Sequence, residues 1–249
     1  MDASNSIKID ELKEKMYAYS SDEFEGRGTP SKGQQLAVEY LVNHYKNLGI
    51  PSVKNGSYLQ AVPLQLEDKP DISLSISNQK FIYYQDYISY ANGPDRNYES
   101  VEIIFAGYGI DDPAYSDYLN IDVKNKVVVV IGGEPLDENE NYFINGNNKS
   151  KWSNSREEIS LKKTIAKNKG AQALILVDEY LFRRYKSRFQ YSDSGRGEKR
   201  MALGNDEENN FQVLLFSEKH KNFFPRENLS LSMTFSKNIQ SFTADNVAA

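Results

Sequence analysis

The sequence predicts a mixed α/β (α+β) protein, and three observations carry that prediction. Two amphipathic helical stretches open the chain. From Tyr58 onward, short β-prone segments alternate with Gly, Pro, Asn and Asp. The run Val127-Val128-Val129-Val130-Ile131 is then followed by a helical segment and a second apolar strand, Ala173 to Val177.

The first helix is expected over Ile9 to Tyr19, where Ile9, Leu12, Met16 and Tyr19 recur at helical spacing. A loop from Ser20 to Lys32 breaks it. The second helix places Leu36, Ala37, Tyr40, Leu41, His44, Tyr45 and Leu48 on one stripe; it starts near Pro30 or Ser31 and stops at Gly49 and Pro51. Strands are expected at Tyr58 to Leu64, Ile72 to Ile76, Phe81 to Tyr84 and Val101 to Ala106. The valine run has the character of a strand buried on both faces at the centre of a sheet. A helix over Glu157 to Asn168, closed by Gly170, leads into Ala173 to Val177. Phe211 to Phe216 reads as a further strand, and Leu229, Leu231, Met233 and Phe235 alternate with polar residues in the last one. The expected organisation is a helical segment over residues 1–56, a β-rich domain over 57–240, and the start of a linker or strand over 241–249.

With 249 residues, 39% of them hydrophobic, 12% aromatic and a mean hydropathy of −0.65, the chain is long enough for a real core and polar at its surface. No apolar run approaches the roughly 20 residues of a membrane span. A net charge of −5 supplies no broad positive field for phosphate backbones, so nucleic acid is not an expected partner. The absence of cysteine removes disulfides, thiolate metal sites and cysteine nucleophiles together.

Two stretches resemble known families. The glycine-punctuated loop Glu25-Gly26-Arg27-Gly28-Thr29-Pro30-Ser31-Lys32-Gly33, with a helix ending Leu48-Gly49-Ile50-Pro51, resembles the entry segment of zinc aminopeptidases of metallopeptidase family twenty-eight. The block Phe105-Ala106-Gly107-Tyr108-Gly109-Ile110, then Tyr118, then Asp122-Val123-Lys124-Asn125-Lys126 before the valine run, resembles the signature of protease-associated domains. Lys167-Asn168-Lys169-Gly170-Ala171 fits the same family. This resemblance implies a central β-sheet or open barrel flanked by helices, with Gly107, Gly109, Asp122 and Asn125 forming structural turns; asparagine stands at 125 where the family often has glycine. Together the two resemblances imply a non-catalytic N-terminal and protease-associated fragment of an exported aminopeptidase. Its catalytic domain would follow Thr243 to Ala249 and form its partner in cis. Zinc is then expected in the parent enzyme and no cofactor in this chain. Glu25, Gly26, Arg27 and Gly28 would border the missing domain, and peptides or proteins could also bind. Self-association through exposed helix faces is a further expectation, and a free-standing peptide- or protein-binding module is the alternative.

A zinc pair needs several converging imidazoles and carboxylates, whereas the chain has only His44, on the apolar stripe of the second helix, and His220, expected in a solvated helical turn. Gly28 to Gln35 lacks the Lys-Ser/Thr of a phosphate loop. Asp137 to Asn141 imitates a calcium loop but has Tyr142 where glycine is needed. Arg183, Arg184, Lys186 and Arg188, interleaved with Tyr185, Phe189 and Tyr191, form a basic-aromatic stretch expected on a helix with solvated cations.

Overall fold

The computed structural model describes residues 8–53, 56–91, 95–154, 157–197, 199–204 and 211–249. The chain divides into two compact units. The first comprises residues 1–65, 203–205 and 241–249; the second comprises 66–202 and 206–240.

In the first unit, α1 (Ile9–Tyr19) and α2 (Lys32–Asn47) flank a short turn of helix, Asp22–Arg27. The hydroxyl of Ser31 caps α2 by accepting from the Gln34 N–H at 3.1 Å. Its C-terminus closes with Gly49 at φ 70° and the Ile50 N–H bonded back to the Tyr45 carbonyl, the left-handed glycine ending expected from Leu48-Gly49. β1 (Leu59–Glu67) lies between β10 (Arg200–Leu203) and β13 (Ile239–Val247), and the chain passes from unit to unit within these three strands. β13 begins two residues before the segment 241–249 and takes in most of it.

The second unit is a mixed eight-stranded sheet in the order β3-β2-β12-β5-β8-β9-β11-β4. Its strands are β2 (Asp71–Ile76), β3 (Gln79–Phe81), β4 (Tyr87–Ala91), β5 (Arg96–Phe105), β8 (Val127–Ile131), β9 (Ala173–Val177), β11 (Gln212–Phe216) and β12 (Ser230–Ser236). β6 (Asp111–Asp112) and β7 (Tyr115–Ser116) form a separate small hairpin. β5, β8, β9 and β11 run parallel, and the outer strands pair antiparallel. The sheet curls toward a barrel: Tyr83, just after β3, bridges to Tyr87 of β4, and the Phe81 and Phe216 rings meet at 5.4 Å.

Each central strand is buried on both faces. Val127, Val129, Ala173, Ile175, Leu214 and Phe216 fill the interior of the curl with Leu74, Tyr87 and Met233. Val128, Val130, Leu174, Leu176, Val213 and Leu215 face the other way and pack with Ile159 and Ala166 of α3 (Glu158–Asn168) and Leu181, Phe182 and Phe189 of α4 (Glu179–Asp193). The period-2 geometry of a strand thus feeds two cores from one apolar run. Full burial contributes about 1.5–3 kcal/mol for each large side chain, so these strands anchor the unit.

The structure departs from the sequence reading in the strand expected at Phe81 to Tyr84. There β3 ends at Phe81, because Asp86 turns the chain by accepting from the Ile82 N–H at 2.7 Å and Tyr84 adopts φ 68°. The pairing then resumes as β4.

Candidate functional site

The entry loop of the first unit is built around three consecutive left-handed residues, Glu25 (φ 47°), Gly26 (φ 69°) and Arg27 (φ 60°). Such conformations cost of order 1–3 kcal/mol at a non-glycine residue and persist only where the surroundings impose them. Here they do. Buried Phe24 meets the rings of Tyr19 and Tyr40 at 5.7 and 5.8 Å. Glu25 Oε2 accepts from the Gly33 N–H at 3.1 Å, and Arg27 donates to the Tyr19 carbonyl with its guanidinium 4.7 Å over the Tyr19 ring. Gly33 is required by close approach, since a Cβ there would stand 2.0 Å from the Phe24 carbonyl oxygen. Glu25, Gly26 and Gly28 are exposed and Arg27 is half-buried. Gly28 lies at φ −65°, which any residue adopts. The charged side chains at 25 and 27 therefore hold the loop's own shape and leave its outer backbone exposed.

α1, beside this loop, buries no residue, and Ile9, Leu12 and Met16 are 71%, 51% and 63% exposed. Leu36 and Tyr40 of α2 are half-buried.

In the second unit, the turn from β5 toward β8 is organised by Asp117. Its Oδ2 accepts from the Tyr108 and Ile110 N–H groups at 3.1 and 3.0 Å, and its Oδ1 from the Tyr115 hydroxyl at 2.7 Å. Gly107 and Gly109 have φ of 47° and 68°; a Cβ on the first would strike Asp117, and on the second Val130. Asp122 Oδ1 accepts from the Lys124 N–H at 3.0 Å, and Asn125 sits at φ 61° with its N–H bonded to the Gly170 carbonyl. Sequence reading singled out the glycines but missed Asp117, whose available signal was an acid eight residues after a Gly-x-Gly turn.

At the C-terminal ends of β8 and β9 lies a buried ionic network that sequence reading also missed. Lys162 is fully buried, and its ammonium donates to Glu158 Oε1 at 2.7 Å and to the Ile131 and Gly133 carbonyls at 2.9 and 2.8 Å. Glu158 Oε1 also accepts from the Gly133 N–H at 2.6 Å. Desolvation pulls the Lys162 pKa below its ordinary range, against the opposing pull of Glu158. Asp178 caps α4 through the Leu181 N–H at 2.7 Å, and burial pushes its carboxyl upward despite that bond. Buried Glu134 takes both the N–H and the hydroxyl of Ser150. A cavity of about 500 Å³ is lined by Glu134, Tyr142, Glu158, Asp178 and Tyr180. A Glu and a Lys four apart inside the apolar stripe of a predicted helix was the readable clue.

His220 is a correction. It is not solvated: its Nε2 lies 3.0 Å from Asp86 Oδ1, and its ring packs 5.1 Å from Phe81. Burial alone would raise the Asp86 pKa, but Lys219, the Ile82 N–H and His220 outweigh it and hold the carboxyl low. His44 is half-buried in the other unit. Asp137 accepts from the Asn139 and Asn141 N–H groups at 2.8 and 2.9 Å and so organises its own loop.

What these features define is a turn-rich, mixed-sheet module with helices on one face, joined in sequence to a helical entry segment. No protein-family model matches the chain, and no curated protein matches it. Among solved structures, the chain is similar to a zinc aminopeptidase from Bacillus subtilis in two structures, at 11% and 12% identity and a TM-score of 0.37, covering 91% of this chain and 44% of that one. It is also similar to a psychrophilic subtilisin-like protease, Apa1, from the Antarctic Pseudoalteromonas sp. AS-11, at 12% identity and a TM-score of 0.35, covering 71% of this chain and 36% of that one. The chain thus spans less than half the length of these proteins. Among the described residues, no helix is long and apolar enough to cross a membrane.

Proposed function

We propose that this chain is the N-terminal and protease-associated part of an exported zinc aminopeptidase. In this reading it does not itself hydrolyse peptides but shapes substrate access or protein contacts for a catalytic domain in cis. The observation that carries the reading is the uncovered stripe of α1, Ile9, Leu12 and Met16, beside an entry loop tied by Glu25 and Arg27 whose outer backbone is exposed. Contiguous exposed apolar side chains mark a surface that is covered in the functional assembly. The entry-segment resemblance supplies the expected cover, the catalytic domain, which in this reading also holds the zinc ions. The test is to incubate the purified protein with zinc and aminoacyl chromogenic substrates. The expected result is no turnover above a zinc-only control, and chelator-sensitive hydrolysis would contradict the reading.

A further inference from the structure

Beneath the basic-aromatic helix lies a second cavity, of about 470 Å³, lined among others by Tyr90, Lys163, Tyr185, Arg188, Phe189 and Arg200, all in the second unit. Its walls are aromatic: Tyr90 and Tyr185 meet edge to face at 4.6 Å, and the Arg200 guanidinium lies 4.6 Å over the Phe189 ring. Arg200 donates one Nη2 bond to the Asp68 carbonyl at 3.0 Å, while its Nε and Nη1 are buried without a hydrogen-bond partner among the described residues. A buried donor left without an acceptor has lost its bonds to water without replacement, and a charged one more so; natural structures retain such groups only for a reason. The nearby Asp193 is engaged by the Tyr84 hydroxyl. Lys163, Arg188 and Arg200 outnumber the single lining carboxylate, Glu67. Arg188 is exposed and forms no ion pair among the described residues, unlike Arg183, which is paired with Glu179 at 2.5 Å.

We propose that this cavity binds a carboxylate flanked by an aromatic or large apolar group on a peptide, with Arg200 and Arg188 as its recognition cations and Tyr90, Tyr185 and Phe189 as the wall for the neighbouring side chain. A guanidinium held over a ring, with unused donors, is pre-organised for a planar carboxylate. The limited size and the aromatic lining of this half-open cleft match one carboxylate better than a polyanion, which needs an extended basic stripe. The carboxylate could be a chain terminus or an acidic side chain, and one experiment separates these. The inference does not rest on the aminopeptidase reading.

The experiment titrates the full chain, labelled for NMR, with three acetylated peptides: Phe-Phe with a free C-terminus, Phe-Phe-amide, and Phe-Glu-Phe-amide. The arginine Nε–H signals and calorimetry are followed together. At least one acidic peptide is expected to shift the Arg200 Nε–H signal and to bind about tenfold tighter than Phe-Phe-amide. Saturation by the free-terminus peptide alone identifies a chain end, by the glutamyl peptide alone a side chain, and by both a cavity that takes either carboxylate; all three patterns support the proposal. Arg188→Ala, at an exposed position that leaves the fold intact, should weaken binding about tenfold, and Arg200→Lys should abolish the selectivity over the amide. Equal binding of amide and acid, inorganic phosphate binding as tightly as the peptides, no shift at Arg200, or an unchanged Arg188→Ala affinity would each overturn it.

Discussion

The central strands of the second unit and helix α1 of the first carry equally regular apolar patterns, yet they end in opposite environments. Val127 to Val130, Leu174 to Leu176 and Val213 to Phe216 are fully buried, whereas no residue of α1 is. The difference teaches what periodicity does and does not encode. A repeating apolar face says that a surface seeks cover. Which element provides that cover depends on topology. The parallel strands receive it from neighbours on both sides and from α3 and α4, while α1 within this chain receives only an edge of cover from the Tyr19, Phe24 and Tyr40 cluster.

Several substitutions probe this contrast, and the largest effect is expected at Lys162. Lys162→Ala would leave Glu158 charged and buried and two strand-end carbonyls without a donor; a loss of about 3–5 kcal/mol in urea unfolding is expected. Next, the same truncation made in both regions should separate them directly. Leu214→Ala is expected to cost about 2–5 kcal/mol, whereas Leu12→Ala should change stability by less than about 0.5 kcal/mol. Equal losses would erase the distinction between the regions. A third pair compares two left-handed glycines. Gly109→Ala collides with Val130 as well as straining the backbone and should cost more than Gly26→Ala, which meets open space and should cost about 1–2 kcal/mol by thermal unfolding.

The smallest effect is electrostatic. Burial raises the phenols of Tyr83, Tyr87, Tyr98 and Tyr118 above the ordinary 10.0, and burial with the Tyr185 contact pushes Tyr90 up to about 12. A folded pKa above the unfolded one gives stability that is complete below pH 10 and lost as pH climbs beyond it. Lys162 has the opposite sign: its depressed folded pKa adds stability as pH rises toward 10.5. Urea midpoints should therefore hold or rise slightly below pH 10 and fall above it, with tyrosinate absorbance appearing together with unfolding. Ionisation of these phenols without loss of structure would show that they are not shielded.

Much of the fold was legible because it rests on local rules. The end of α1 at Tyr19, the glycine stop of α2 at Gly49, the valine strand and the closure of α3 at Gly170 each follow from periodicity and one punctuating residue. β4 was not legible. Tyr87 and Ile88 feed opposite cores, and buried Ser89, bonded to Gln212 at 2.7 Å, interrupts the apolar signal. The polar features were hidden for a related reason. Lys162 and His220 take partners remote in sequence, Ile131 and Gly133 for the first and Asp86 for the second, so the Glu158–Lys162 spacing signals an ion pair without saying where it is buried, and Asp117 is marked only by its distance from the Gly107–Gly109 turn. The entry loop was recognisable as a glycine-rich break, but not the use of Glu25 and Arg27 as its internal ties.

Amide hydrogen exchange along the whole chain tests most directly the claim that α1 stands without cover. Amides of β8, β9 and β11 should exchange only through global unfolding, and those of α1 orders of magnitude sooner. Protection of α1 equal to that of β8, measured on the monomeric protein, would contradict the account.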